Sequence, residues 1–466
     1  MDDEDPPFPL RDAPPTRAMR RVALGLAQAI VAGDPDPAAS RARAENALGR
    51  HWAWLAPLVL RIHFEFGDRH GALPVDTLQS RILRERAFID AFCGPQPPPR
   101  IRAWLPLHPR MAPARVPGIG AALPALDTLA DLADWLEISG EALDWLADPD
   151  GWRAPPAPSP VEHYRYHWQP KRDGRPRLIE APKPRLRALQ RRILHGLLDH
   201  VPTHPAAVGC VRGRSVIDNA AAHAGQRLLV KLDLQDFFAG IRASRIHALF
   251  RSLGYPRAVA RYLTGLTTHR SPPHILRALP QGEFASLDER FGQRRRATRF
   301  SERHLPQGAP TSPALANLCA YRLDLRLAGA AAECGARYSR YVDDLAFSGA
   351  FDAAHGQRML RMIEAIVREE GFTPNGRKSG VFTGAARQQL TGIVVNRHPN
   401  LPRRDYDRLK AILSNCQRHG AASQNRDGHR DFRAHLHGRI AWAHALNPAR
   451  GDTLWAMFAR IDWDRA

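Results

Sequence analysis

Apolar positions along this chain fall into two rhythms. Over residues 126–146 they recur at helical spacing, through Leu129, Leu132, Leu136, Leu143 and Leu146, with a break at Ser139-Gly140. That pattern predicts a pair of short helices. The same spacing predicts helices within 17 to about 92, where Val22 to Ala27 and His51 to Leu60 carry the apolar runs, and over 184–200, 244–250, 256–266, 358–370, 403–413 and 432–458. Trp52 and Trp54 sit among apolar residues at that spacing and read as core. A partner-facing surface is the alternative. The second rhythm has a period of two. Residues 164–182 alternate and turn at Asp173-Gly174, which predicts a hairpin. Leu228-Leu229-Val230-Lys231-Leu232-Asp233 is an apolar strand ending in an acid, with Phe237 and Phe238 close behind. Ala336 to Ser348 reads as strand, tight turn, strand, with Asp343 and Asp344 in the turn. Stretches rich in Pro and Gly punctuate the chain. Residues 95–125 read as a linker or extended wrap, and 153–160 as a hinge. Residues 1–16 are acidic, then Pro-rich, and are predicted to be disordered.

Length adds that 466 residues exceed one compact core, so two or three domains are expected. Lys plus Arg number 67 against 47 Asp plus Glu, a net charge of +20. Such a field attracts polyanions. An anionic membrane would also attract it, but no apolar run approaches the ~20 residues that a span needs, and no signal-peptide pattern opens the chain. Nucleic acid is the expected partner, with no membrane. The five cysteines are scattered and show no Cys-x-x-Cys spacing, so neither a zinc site nor a disulfide framework is expected, and a reducing cytoplasm fits.

The candidate chemistry lies in the acids. Adjacent carboxylates such as Asp343 and Asp344 repel each other and are stable at a hairpin tip when a cation sits between them and a further acid. Hard oxygen ligands suit Mg²⁺, which keeps several waters and binds through one or two carboxylates plus substrate phosphates. An ordinary Asp-rich turn is the alternative. If the strand ending at Asp233 lies beside the hairpin, Asp233 and Asp343 can clamp two metals about 3.5–4 Å apart. That arrangement performs nucleotidyl transfer by positioning and charge neutralisation. Elsewhere, Ser215 can cap a helix on which Asn219 and His223 fall four apart on one face. By itself that pair reads as a structural one at a helix end.

Tyr341-Val342-Asp343-Asp344 on a hairpin, with Asp233-x-x-x-Phe237-Phe238 upstream, resembles the palm of a reverse transcriptase. The region from about Thr128 to the C-terminus resembles the retron reverse transcriptases of bacteria. The resemblance implies an α+β right-hand polymerase: fingers and palm with an antiparallel sheet over 126–390, a helical thumb over 391–466, and a mainly helical N-terminal extension over 1–125. It implies Asp233, Asp343 and Asp344 as catalytic ligands of two Mg²⁺. Around the dNTP it places Lys171 and Arg177 over the triphosphate and Phe238 under the sugar, where a 2′-hydroxyl would collide. Of two Leu-Pro-Gln-Gly copies, at 279–282 and 305–308, only the second continues into the expected helix. Gln307 then lies near nucleotide and template base, and Gly308 lets the backbone approach the substrate. Lys378 is a candidate neighbour of the triphosphate or pyrophosphate, with an exposed turn Lys as the alternative. Asn219-Ala220-x-x-His223 matches a retron-specific element with contact to the cognate RNA as its implied role. Thr391-Gly392 matches another, with Leu390 replacing Val. Arg403, Arg404, Arg408 and Lys410 form a basic thumb face that follows the product's backbone. Further implications are a structured non-coding RNA as template, an internal guanosine 2′-hydroxyl as primer, a branched RNA–DNA product, and anti-phage defence with an effector protein. Another bacterial defence or group II-like reverse transcriptase, or a non-catalytic RNA-binding scaffold, remain the alternatives.

Overall fold

The computed structural model describes residues 14–32, 36–66, 75–105, 111, 123–149, 162–170, 176–277 and 298–463. The chain divides into two compact units, Met1–Trp145 with Phe250–Leu263, and Leu146–Leu249 with Thr264–Ala466.

The first unit is helical. Arg17–Val31 opens on Thr16, whose hydroxyl accepts from the Met19 amide at 3.2 Å. It buries Val22, Leu26 and Ile30 against Leu55, Leu58 and Ile62 of Leu55–Phe66, Leu78 and Ile82 of Val75–Leu83, and Phe88 and Phe92 of Arg86–Cys93. Trp52 is buried in this core and Trp54 packs against it, as the spacing predicts. The predicted helix pair forms as Leu129–Leu136 and Gly140–Ala147, broken where Ser139-Gly140 interrupts the pattern.

The second unit is built on a four-stranded antiparallel sheet in the order β4-β5-β3-β6. Its strands are β3 (Leu228–Asp233), β4 (Arg337–Tyr341), β5 (Asp344–Gly349) and β6 (Gly380–Thr383). β3 is central: its first four residues pair with β6, whereas all six pair with β5. Helix Ala353–Glu369 lies on this sheet, and a Cβ at Gly356 would come within 2.5 Å of Leu228. Glycine is what permits that approach. A separate hairpin pairs β1 (Tyr164–Pro170) with β2 (Pro176–Pro182) in full register. A third small sheet joins β7 (Gln389–Leu390) to β8 (Ile393–Val394). Arg403–His419, Phe432–Leu446 and Pro448–Phe458 share a core of Leu409, Leu413, Leu436, Ile440 and Leu454.

One expected helix, 432–458, is two. Pro448 has no amide proton to continue the first helix, and Asn447 Oδ1 accepts from the Arg450 amide to start the second. The 1–16 segment expected to be disordered falls mostly outside the described residues, as do much of the expected 95–125 linker, the 153–160 hinge, the Asp173-Gly174 turn and the 279–282 repeat. Among the described residues no helix is long and apolar enough to cross a membrane.

Candidate active site

Three carboxylates meet at one end of the central sheet. Asp233 closes β3 and Asp344 opens β5, and the two are direct partners in the antiparallel register. Asp343 precedes Asp344 in the turn, where Val342 takes a φ of +59°. The turn is closed from the far side by the Leu234 amide, which donates to Asp343 O at 2.8 Å. The condition posed from sequence, that the two stretches lie side by side, is met.

Asp233 is held by the 373–378 segment. Asn375 Nδ2 donates to its Oδ2 at 2.6 Å, the Asn375 amide donates to its carbonyl at 2.8 Å, and Lys378 Nζ stands 3.3 Å from its Oδ1. Among the described residues no cation pairs directly with Asp343, and the charge of Lys378 offsets only part of what raises it. Burial, together with the charges of Asp344 and Asp233, pushes its carboxyl up to about 6. Burial also raises Asp344, with Lys231 and Lys378 opposing. The acids therefore form a pocket of negative charge that the protein itself leaves under-neutralised. Among the described residues, no group of three or more His, Cys, Asp or Glu is arranged so that it could hold a metal ion.

The acids line a cleft of about 370 Å³ together with Arg177, Phe238, Gln307, Lys378 and Thr391. Phe238 also faces an adjoining groove with Gly308, Arg187 and Arg191. Most of the residues singled out from sequence are thus brought together. Lys171 lies outside the described residues. Lys378 is paired with Asp233 while its side chain stays 49% exposed. Gly308 has a φ of +127°, and a Cβ there would lie 3.1 Å from Glu180 O, so the close backbone approach it permits is to β2. Thr391 takes a φ of +46°, and its Oγ1 is buried without a hydrogen-bond partner among the described residues. Gly392 beside it is exposed, with a φ of +93°. Arg403, Arg404 and Arg408 are exposed on Arg403–His419 and do not line the cleft.

Asn219 and His223 require a correction. Both are buried, at 2% and 1% exposure, which removes them from direct contact with an RNA. The capping box on Ser215 and Asp218 starts their helix as expected. Their side chains then point into the sheet. Ser339 Oγ donates to Asn219 Oδ1 at 2.7 Å, so it accepts from His223 Nε2, also at 2.7 Å. That leaves Nδ1 to accept from Ser348 Oγ at 2.7 Å. A neutral ring satisfies every partner, and burial pushes its pKa down to about 4. The pair ties Val216–Ala222 to the hairpin behind the acids.

Asn375 escaped the sequence reading. Its Pro374-Asn375-Gly376 setting is a turn signal, which accounts for the residue without its side-chain bond. Also missed was Glu180. It is fully buried, with Oε2 2.9 Å from His304 Nε2 and Oε1 accepting from Ser271 at 2.6 Å. An acid in the otherwise apolar run 178–182 was the available signal.

Residues 169–406 match the family described as Reverse transcriptase (RNA-dependent DNA polymerase). The chain is 40% identical over 299 residues to the retron Mx65 reverse transcriptase of Myxococcus xanthus, covering 63% of this chain and 64% of that enzyme. It is 32% identical over 358 residues to the retron Mx162 reverse transcriptase of the same organism, covering 73% and 68%. It is 28% identical over 300 residues to the retron Ec86 reverse transcriptase of Escherichia coli, covering 62% and 78%. The match to the Mx65 enzyme thus spans just under two thirds of that protein's length.

Proposed function

This chain belongs to the retron reverse transcriptases, and on that premise we propose that it copies RNA into DNA from dNTPs, with Asp233, Asp343 and Asp344 as its catalytic carboxylates. The observation that carries the reading is the convergence of these acids in a cleft that also holds Arg177, Phe238 and Gln307. In domain terms, 126–390 are fingers and palm, 391–466 the thumb, and 1–125 an extension.

The donor set fits a hard dication. Every candidate ligand is a carboxylate oxygen, and Asp343 is raised to about 6 partly by its two acidic neighbours, a penalty that a bound cation removes. One or two carboxylates suffice for Mg²⁺, because waters and substrate phosphates complete its shell. When bound, two such ions supply activation of the attacking hydroxyl and stabilisation of the leaving pyrophosphate. The chain's own residues do the rest. Asn375 fixes the Asp233 carboxylate, and the half-exposed Lys378 moves from Asp233 to a phosphate when the triphosphate enters. Arg177, with Lys171, grips phosphate oxygens, Arg by a planar fork and Lys as a point charge. The Phe238 ring fills the space that a ribose 2′-hydroxyl would need, which selects dNTPs. Gln307 meets the base pair being formed.

The template is a structured non-coding RNA encoded with the enzyme, and the primer is a 2′-hydroxyl within it, giving a branched product. Thr391, half-buried with a strained backbone at the cleft, and the exposed Gly392 contact the nucleic acid strand. Arg403, Arg404 and Arg408 follow its phosphates. The setting is cytoplasmic anti-phage defence with an effector protein. The test incubates the purified full chain with Mg²⁺, dNTPs and the RNA encoded beside its gene. The expected product is DNA joined to RNA and separable by a debranching enzyme. Synthesis only from an annealed primer would overturn self-priming, and no synthesis from either would overturn the polymerase assignment.

A further inference from the structure

Behind the catalytic turn lies a buried ion pair that the proposed chemistry does not use. Arg340, on β4, and Asp324, on Tyr321–Glu333, are both fully buried. Arg340 Nε and Nη2 fork onto the two Asp324 oxygens at 2.8 and 2.6 Å. Its remaining nitrogen, Nη1, donates to Asn317 Oδ1 at 2.8 Å and to Val342 O at 3.0 Å. Val342 is the residue with φ +59° immediately before Asp343. A β-branched side chain in that region is a genuine outlier and persists only where its surroundings over-determine it. The surroundings here do so. Val342 O is held by Arg340, and Asp343 O by the Leu234 amide. Gly209 closes over the turn, where a Cβ would stand 2.6 Å from Val342 N, and its carbonyl accepts from the same Asn317 at 2.9 Å. Tyr338 OH donates to Asp324 Oδ1 at 2.8 Å and completes that carboxylate's partners.

A buried ion pair is weak evidence for stability, because desolvation offsets most of the attraction. Its geometry here points to another role. We propose that the Asp324–Arg340 pair is a positioning device that holds the strained turn and thereby aims the Asp343 carboxylate for catalysis. The proposal rests on Asp343 being a catalytic ligand. A lysine at 340 would keep the charge but could not fork onto Asp324 and reach Val342 O together.

The test compares the full-length chain with Arg340→Lys and with Asn317→Ala, which removes one Arg340 contact but spares the ion pair. Two readouts are taken: single-turnover dNTP incorporation on an annealed primer–RNA template, and Mn²⁺ binding without nucleotide, read from the paramagnetic resonance of free Mn²⁺. Arg340→Lys is expected to lower the maximal rate on the order of 10- to 100-fold, as misplacement of a reacting group does. Its half-saturating dNTP and its template affinity should stay within about twofold, because those contacts are made elsewhere. Its Mn²⁺ binding should weaken although all three acids remain. Asn317→Ala should move both readouts the same way by less. A folded Arg340→Lys with wild-type rate and Mn²⁺ affinity overturns the proposal, as does a loss shared equally by rate, dNTP use and template binding. Should Arg340→Lys not fold, an unchanged Asn317→Ala overturns it. A wild type that binds Mn²⁺ but does not polymerise defeats the functional reading alone, and the Mn²⁺ comparison still decides the positioning role.

Discussion

Replacing Glu180 with Gln tests how β2 is fixed to the turn that carries Gln307. Glu180 and His304 are both buried, with no side-chain exposure. Both ring nitrogens of His304 face acceptors: Nδ1 is 2.8 Å from Glu302 O and Nε2 is 2.9 Å from Glu180 Oε2. Only an imidazolium donates to both. Burial pulls His304 down, but the charge and hydrogen bond of Glu180 and the bond to Glu302 outweigh it, so its pKa is raised. Burial pushes Glu180 up, and the charge and hydrogen bond of His304 bring it below its ordinary value. Removing one partner of such a pair strands the other, at about 3–5 kcal/mol. The sign of the pH dependence follows from the two directions. The His304 contribution is fully present below its ordinary 6.5 and fades as pH rises through the raised folded value. The Glu180 contribution is fully present above 4.5 and fades as pH falls through the lowered one. Glu180→Gln should therefore lower the urea midpoint most between those two values, and less in alkali once His304 has lost its proton. Since the Glu180 amide donates to Gln307 O at 2.8 Å, half-saturating dNTP should rise with it. A pH-independent difference, or none, would refute the pairing.

Other perturbations separate the parts of the site. Asp233→Asn or Asp343→Asn should abolish Mg²⁺-dependent extension while RNA binding, measured by filter retention at one salt concentration, persists, because the phosphate contacts lie elsewhere. Phe238→Ala should raise NTP relative to dNTP incorporation in a competition assay; an unchanged ratio would assign the sugar gate to another residue. His223→Ala should destabilise the fold by about 1–3 kcal/mol through stranded hydroxyls, and should lower synthesis on cognate RNA and on annealed template alike. In metal-free protein the Asp343 carboxyl titrates near 6, against an ordinary 3.8, so its ionisation weakens the fold as pH rises through that range. Added Mg²⁺ should then raise the melting temperature well above that pH and do little below it.

Local signals made much of this protein legible. Helices, the central strand and the acid-bearing hairpin follow from apolar spacing, and the ends of the strands place the acids. Pairings that join polar side chains across long stretches of chain leave no period to read. Asn219 and His223 present a polar helical face that resembles a contact surface, yet their partners Ser339 and Ser348 lie more than a hundred residues downstream. Lys378 reads as a turn cation until Asp233 is placed against it.

β4 shows what such pairings accomplish. A strand with one wet face alternates apolar and polar residues. In Arg337-Tyr338-Ser339-Arg340-Tyr341 the adjacent Ser339 and Arg340 point to opposite faces, and both are buried, at 3% and 0% exposure. Such a strand is tolerated only if each face supplies hydrogen bonds. Ser339 finds Asn219 on the helix Val216–Ala222 and His223 at its C-terminal cap, and Arg340 finds Asp324 and Asn317 on the other side. The strand is thus pinned from above and below one residue before Tyr341, where the turn to Asp343 begins. An apolar strand would pack as well but would leave its end free to slide, because dispersion has little directionality. Polar partners on both faces fix register as well as depth, and the register of β4 on β5 is what sets Tyr341 opposite Asp344 at the mouth of the turn.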